Sequence, residues 1–464
     1  MKRAAVVIAT LVGCHPAPTP KPPTEAAIDQ PPPPPPPTGP VAPADPKPIV
    51  DGDVVDAQTH GIRVLIQRAP GVEEIATGLY IAGGSLGWDA RTAGIEQLAL
   101  SVAANGGTRQ LDKDRFTRKL SDLGSQIGAG SNEDYSQMTA WSLKSTWDDT
   151  FALLVDAFRD PALPASEIEI QRQRQLSDLK QEADSLDARL DLVTHQGMFK
   201  GHPYENRAIG TIETVSSFTA PQLAAHLAKL RESQRLLVVV VGDVDADHVI
   251  ATVGKALGDL PAGSFKPNAL PAVPAVAKGE VTVVADKLPT NYIQAVFIGP
   301  RWTDPDFIVA RVAMRWLGTR GFEEVRTKRN LSQAPAAFFN WNTGCPTGAL
   351  SVTAADPRMT MKVMLDEAKQ LRDTKLSEHD LVAMKAELLT GAYLASEAPA
   401  DQAAMLAASQ LRGGDWHFVR TFPDRVKAVT ADQVQAWAQK AITHLHTFVI
   451  GDGQKIDKQL LETF

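Results

Sequence analysis

Cysteine is nearly absent: Cys14 and Cys345 are the only two in 464 residues. Two thiols so far apart are too few for a disulfide framework, which excludes a small cross-linked scaffold. Basic stripes with interleaved aromatics are missing too, and the formal net charge is −7. A phosphate backbone would find no electrostatic footing, so nucleic acid is excluded as a partner. None of the ten histidines stands in H-E-x-x-H or H-x-x-E-H. His195 and His202 are seven apart, but Pro203 ends a helix at the second, so they share no metal face. His444 and His446 alternate on a predicted strand and read as packing or surface residues. There is no G-x-S-x-G elbow and no phosphate-cradling glycine loop; Ala82-Gly83-Gly84 reads as a turn.

What remains is ordinary globular material, 44% hydrophobic and 22% charged, long enough for two to three domains. Its first residues are a case apart. Lys2 and Arg3 form a basic n-region, Ala4 to Val12 an apolar segment too short to span a bilayer, and Leu11-Val12-Gly13-Cys14 resembles a bacterial lipobox. Cleavage before Cys14 would leave a lipidated cysteine tethered to a membrane, and His15 in place of Asp favours the outer membrane, facing the periplasm. The bland alternative is an ordinary secretory signal that happens to contain Cys. Pro31 to Pro37 dominates the following arm, expected as extended polyproline II, on the order of 100 Å from His15 to Pro48. It reads as a stalk; docking on a proline-binding domain is the alternative. Cys345 is then a lone thiol, read as a small apolar core residue.

The rest of the chain is duplicated. Arg235 to Asp243 (R-L-L-V-V-V-V-G-D) and His446 to Asp452 (H-T-F-V-I-G-D) end in Gly-Asp 209 residues apart. Val215 to Leu223 and Val426 to Val434 match at a spacing of 211, each with Thr (Thr219, Thr430) at an N-cap position. Leu79 to Gly83 matches Val296 to Gly299 in character. Three matches in one order make two similar domains in tandem. Ile62 to Ile66 and Ile75 to Ile81 read as strands, Asp112 towards Leu123 as a helix, and Asp134 to Leu143 as a strand. Ser166 and Glu169 form a capping box opening a long helix, whose apolar positions Leu176, Leu179, Ala183, Leu186, Leu190 and Val193 predict one core-facing stripe. Strands and helices do not alternate strictly, which predicts an α+β fold. The expected organisation is a signal segment over 1–13, lipidated cysteine and arm over 14–48, a first domain over 49–262, a linker over 263–278 and a second domain over 279–464.

The central stretch is Thr92 to Thr108, T-A-G-I-E-Q-L-A-L-S-V-A-A-N-G-G-T, predicted as a helix. Ile95, Leu98, Ala99 and Val102 form its inward face, while Gln97 and Ser101 lie four apart on a neighbouring one. With Gly84-Ser85 and Trp88-Asp89 before it, His202-Pro203-Tyr204, Ile209-Gly210-Thr211 and Gly242-Asp243 after it, and Asp304-Pro305-Asp306 and Val325 to Leu331 (V-R-T-K-R-N-L) in the second half, it resembles the insulinase/pitrilysin family of processing-peptidase-like zinc metallopeptidases. The resemblance covers Ile49 to Phe464 and implies two α+β sandwich domains paired into a clam shell. It also implies a test of the chemistry.

Active members carry H-x-x-E-H on this helix, two His binding zinc and a Glu polarising water. Anchored on Gly94, those positions are Gln97, Leu100 and Ser101; anchored on Gly107-Thr108, they are Leu98, Ser101 and Val102. Neither register supplies a zinc ligand. The family's third ligand is a Glu roughly 77 residues on, and counting 77 from Ser101 reaches Asp178. A lone carboxylate does not make the three-ligand site that catalytic zinc needs, so no cofactor is expected although active relatives use zinc. In the second domain the family places an Arg and, seven residues on, a Tyr on the substrate backbone; here these are Arg326 and Gln333, where an amide can still donate but no phenol can. Arg326 reads equally as a surface arginine at a helix end. Degenerate members of the family pair with active ones, which implies a catalytic peptidase-family subunit as partner and peptides or unfolded polypeptide as ligands. The alternatives are a peptide-binding or scaffold protein of the cell envelope without a peptidase partner, and an active zinc endopeptidase with a divergent site.

Overall fold

A computed structural model describes residues 45–266 and 270–464. The expected signal segment, Cys14 and most of the proline-rich arm lie outside them. The first half contains strands β1 (Ile49–Asp51), β2 (Val54–Thr59), β3 (Ile62–Arg68), β4 (Glu74–Ala82), β5 (Gln126–Ser131), β6 (Tyr135–Leu143) and β7 (Leu236–Gly242). Its helices are α1 (Ile95–Asn105), α2 (Lys113–Asp122), α3 (Trp147–Arg159), α4 (Ala165–Asp184), α5 (Leu186–Met198), α6 (Ile212–Ser217), α7 (Ala220–Leu230) and α8 (Ala246–Leu257). The second half has strands β8 (Glu280–Ala285), β9 (Asn291–Ile298), β10 (Ala336–Asn340), β11 (Thr347–Ala354) and β12 (His446–Gly451). Helices α9 (Phe307–Gly321), α10 (Pro357–Asp373), α11 (Glu378–Leu394), α12 (Pro399–Gly413), α13 (Phe418–Ala428), α14 (Ala431–Ala441) and α15 (Lys458–Thr463) complete it. None of these helices is long and apolar enough to cross a membrane.

The two sheets repeat one topology. Strands run β1-β2-β3-β7-β4-β6-β5 in the first and β10-β11-β9-β12-β8 in the second. Read from the opposite edge, β8-β12-β9-β11-β10 superposes on β3-β7-β4-β6-β5, down to the single parallel pairing, β3 with β7 and β8 with β12. The parallel strands end in Gly242 and Gly451, at φ 150° and 144°. Thr219 and Thr430 both form capping boxes, with Gln222 and Gln433, at the starts of α7 and α14. The repeat legible in the sequence is thus a repeat of fold, and the α+β class stands.

Each sheet buries one face under its own helices. In the first half Val64, Leu79, Met138 and Val238 pack against α1, α3, α4, α7 and α8 through Leu98, Leu154, Leu176, Leu227 and Val249. The opposite faces are covered reciprocally. Ala403, Leu406 and Ala407 of α12, with Trp416, close over Leu65, Tyr80, Leu237 and Val239 of the first sheet. In return Leu190, Met198 and Phe199 of the α5 region, with Tyr204, close over Val296, Ala349, Phe448 and Ile450 of the second.

This exchange corrects the long-helix expectation. Helix α4 starts at Ala165 behind Pro164, whose extended backbone precedes it, so Ser166 is no N-cap; Glu169 instead accepts from Arg172 (3.2 Å) and Gln173 (2.6 Å). The helix breaks at Ser185, which takes extended angles and caps α5 through Ala188 N. Leu176 and Leu179 therefore serve the first core, while Leu186, Leu190 and Val193 serve the other sheet. The central helix is shorter than expected, running from Ile95 rather than Thr92, because Gly94 sits at φ 90° and holds off the first turn. Strand β12 begins at His446, so His444 lies before it.

Candidate functional site

Helix α1 is held at its start by a contact between two glycines. A Cβ on Gly94 would lie 2.9 Å from Gly210 Cα, and both residues have positive φ, 90° and 76°. The Gly-Thr element is thereby pressed onto the helix that carries the metal positions in active peptidases. Gln175 of α4 locks the same corner, donating to the carbonyls of Gly94 (3.1 Å) and Ile209 (2.8 Å).

On that helix the two registers separate by burial. Leu98 and Val102 are wholly buried in the first core, as is Leu100, whereas Gln97 and Ser101 are half-buried. The polar pair is committed to structure. Gln97 Nε2 donates to Ser101 Oγ at 3.3 Å, and Gln97 Oε1 accepts from the Ser131 backbone N–H at the end of edge strand β5, 2.7 Å away. Asp178 is exposed on α4, with no ion-pair partner among the described residues. Zinc in a catalytic site takes three strong donors from the protein. An amide and a hydroxyl bonded to one another, an alkyl group and one exposed carboxylate do not fit it. Among the described residues no group of three His, Cys, Asp or Glu side chains could hold a metal ion.

One residue before Gln97 lies a network that sequence reasoning missed. Glu96 is buried, with Oε2 2.8 Å from His226 Nε2 and Oε1 accepting from Ser136 Oγ. Ser136 Oγ also lies 2.7 Å from Ser131 Oγ, whose hydroxyl can donate to it, so the network and Gln97 converge on the end of β5. The available signal was a Glu inside an apolar helical run, which requires a buried partner. His195 and His202 belong to no cluster of three metal-ligating side chains among the described residues. Both pack on Phe199, and their Nε2 atoms meet the carbonyls of Tyr204 (2.6 Å) and Pro271 (3.2 Å). Burial pulls both imidazoles below the usual histidine range. Cys345 lies 3.8 Å from His202 Nε2, buried between the α5 region and the second sheet, where burial pushes its thiol up to about 11.

Tyr204 and Asp134 join the two halves. The Asp134 carboxylate accepts from Arg412 Nε of α12 at 2.7 Å, from the Gly344 N–H at 3.0 Å and from the Tyr204 hydroxyl. Asp134 and Arg412 side chains are 7% and 6% exposed, so this ion pair is buried where the halves meet.

In the second half, Arg326 and Gln333 are not brought to α1 by any hydrogen bond. Arg326 is exposed at the end of a π-helical turn, its guanidinium 4.9 Å from the Phe322 ring centroid, and Gln333 Nε2 donates to Asn330 at 3.1 Å. The turn itself is anchored by Glu324, which accepts from Arg320 (2.8 Å), Lys328 (2.6 Å) and Arg329. Those hydrogen bonds, Lys328 first and Arg329 second, hold the Glu324 carboxyl down at about 2.

Comparison with known families agrees with this geometry. The insulinase (peptidase family M16) model matches residues 63–212, and the peptidase M16 inactive domain model matches residues 217–388. The chain belongs to peptidase family M16. Within M16 it is similar to an uncharacterized zinc protease of Mycobacterium leprae, 22% identical over 82% of this chain and 87% of that one. It is 21% identical to the mitochondrial-processing peptidase subunit beta of Saccharomyces cerevisiae, over 82% and 86%. The crystal structure of a peptidase M16 inactive domain from Pseudomonas fluorescens shares the fold at a TM-score of 0.77 and 20% identity, covering 86% of this chain and 97% of that one. As an M16 homologue the chain has two domains of the clam-shell type and lacks H-x-x-E-H on α1.

Proposed function

We propose that this M16 chain is a non-catalytic subunit that pairs with a separate zinc-bearing peptidase subunit in peptide or protein processing, and that it carries no catalytic zinc itself. The observation behind this is the state of α1, where Gln97 is spent on Ser131 and Ser101 while Leu100 is core. Water attack needs both a metal and a general base, and neither role has a residue. A relative named as a subunit of a processing peptidase supports the paired arrangement. The lipid expected on Cys14 would hold the pair at the outer membrane, facing the periplasm.

The test is affinity purification of the intact chain from its native membrane, with mass spectrometry and elemental analysis of the product. A stoichiometric co-purifying chain bearing H-x-x-E-H, with zinc on that chain alone, is expected. Recovery without such a chain, or about one zinc per copy of this chain purified by itself, would overturn the proposal. The second reading, a peptide-binding scaffold of the envelope without a peptidase, is favoured by Gln333, which replaces the substrate-holding Tyr and is tied to Asn330.

A further inference from the structure

A cavity of about 710 Å³ opens between the halves, walled by the β5–β6 hairpin, α9, α11, α12 and α13. This lies within the roughly 300–1,000 Å³ of small-ligand pockets. None of the zinc-motif positions lines it.

Its charges are unevenly matched. Arg315 is paired with Glu387 and Arg412 with Asp134. Arg311 lines the same cavity without a hydrogen bond or ion pair among the described residues, and the exposed Asp401 does not reach it. The guanidinium instead lies between two rings, 4.1 Å from the Trp341 centroid and 4.6 Å from that of Phe422. Burial without a counter-charge pushes it down to about 10. With aromatic rings stacked against the cation, its in-plane N–H groups remain for an acceptor. A planar fork of donors in apolar surroundings is matched by a carboxylate, which accepts two of them side by side. The remaining walls specify what the carboxylate is attached to. Trp302 and Phe418 supply apolar surface, while the side-chain amides of Gln137 and Asn342 have no partner among the described residues. An alkyl chain would waste those amides; a peptide main chain would use them.

We propose that this cavity binds the C-terminal residue of a peptide, with Arg311 holding the α-carboxylate, the aromatic walls enclosing an apolar side chain, and Gln137 and Asn342 pairing with the main chain. The site goes beyond the subunit reading and needs no partner chain, so its failure would leave the co-purification result untouched.

The experiment titrates the full chain with N-acetyl-glycyl-glycyl-phenylalanine, its C-terminal amide and decanoate, following tryptophan fluorescence and calorimetry. The acid is expected to bind, with affinity at least about tenfold above that of the amide and of decanoate, and Arg311→Met is expected to lose about tenfold or more for the acid. Arg311→Met should melt no lower than the parent, because it removes an unpaired cation; if it fails to fold, Arg311→Lys, which keeps charge but not the fork, should still weaken the acid several-fold. Equal affinity for acid and amide, undiminished binding by a folded Arg311 variant, preference for decanoate, or no binding of the acid would each overturn the proposal.

Discussion

Among single residues, Glu324 holds together the stretch around Arg326 that resembles a substrate-contacting motif. Three cations converge on one carboxylate of low exposure. Its folded value of about 2 lies below the ordinary glutamate value of 4.5, so the stabilisation is complete above about pH 4.5 and is lost as pH falls from there through 2. Glu324→Gln is expected to cost about 1–3 kcal/mol at pH 7. Its melting curve should converge on that of the parent towards pH 2, as followed by circular dichroism against pH. A constant difference across that range would mean that the carboxylate's charge contributes nothing. Arg326, two residues on, was readable as a position but not as a role: V-R-T-K-R-N-L shows two of the three cations, while Arg320 and Glu324, the residue that gathers them, lie before the stretch. Asp134 and Arg412 were illegible for a different reason. Each is an ordinary charged residue in sequence, and only their meeting across 278 positions makes a buried pair.

At the level of elements, α1 and β5 are tied together by one side chain. Gln97 clips the helix to the last N–H of an edge strand. Edge strands leave donors and acceptors unpaired, so this amide blunts one end of β5. Gln97→Ala should destabilise the protein by only about 1–2 kcal/mol, since two hydrogen bonds of modest net worth are lost. Hydrogen exchange over Gln126–Ser131 should nonetheless quicken locally, with α3 and β7 unchanged; unaltered exchange there would mean that β5 does not depend on the clip. The sequence carried much of this level. The α1 periodicity named Ile95, Leu98, Ala99 and Val102 as inward residues, and all four are buried. Helix limits were less readable: Gly94 shortens α1 by a backbone angle, and Ser185 splits an apolar stripe whose spacing runs through the break unaltered.

For the molecule as a whole, the duplication was legible because repeated turn and cap residues, Gly-Asp and Thr-x-x-Gln, recur at a nearly constant spacing. What no periodicity could carry is that each half finishes the other's sheet. An apolar strand face specifies burial, not the identity of the cover. The exchange makes stability a joint property. Arg412→Met would leave Asp134 buried and uncompensated, at an expected cost of about 3–5 kcal/mol, read as a fall in the denaturant midpoint. Severing the halves has a larger consequence. A fragment of residues 49–262 would keep β1 to β7 and their helices but lose α12 and Trp416, baring Leu65, Tyr80, Leu237 and Val239 on one continuous face. Each such large side chain forfeits about 1.5–3 kcal/mol of burial. Four of them approach the 5–15 kcal/mol by which whole domains are stable. The full chain should therefore melt in one cooperative transition, and the fragment alone should aggregate or bind a hydrophobic dye. Co-expression with residues 279–464 should restore a soluble complex, because the second fragment supplies α12 and receives α5. A monomeric first fragment with its own sharp melt would instead mean that the helices above β1 to β7 suffice, and that the reciprocal cover serves to orient the halves rather than to fold them.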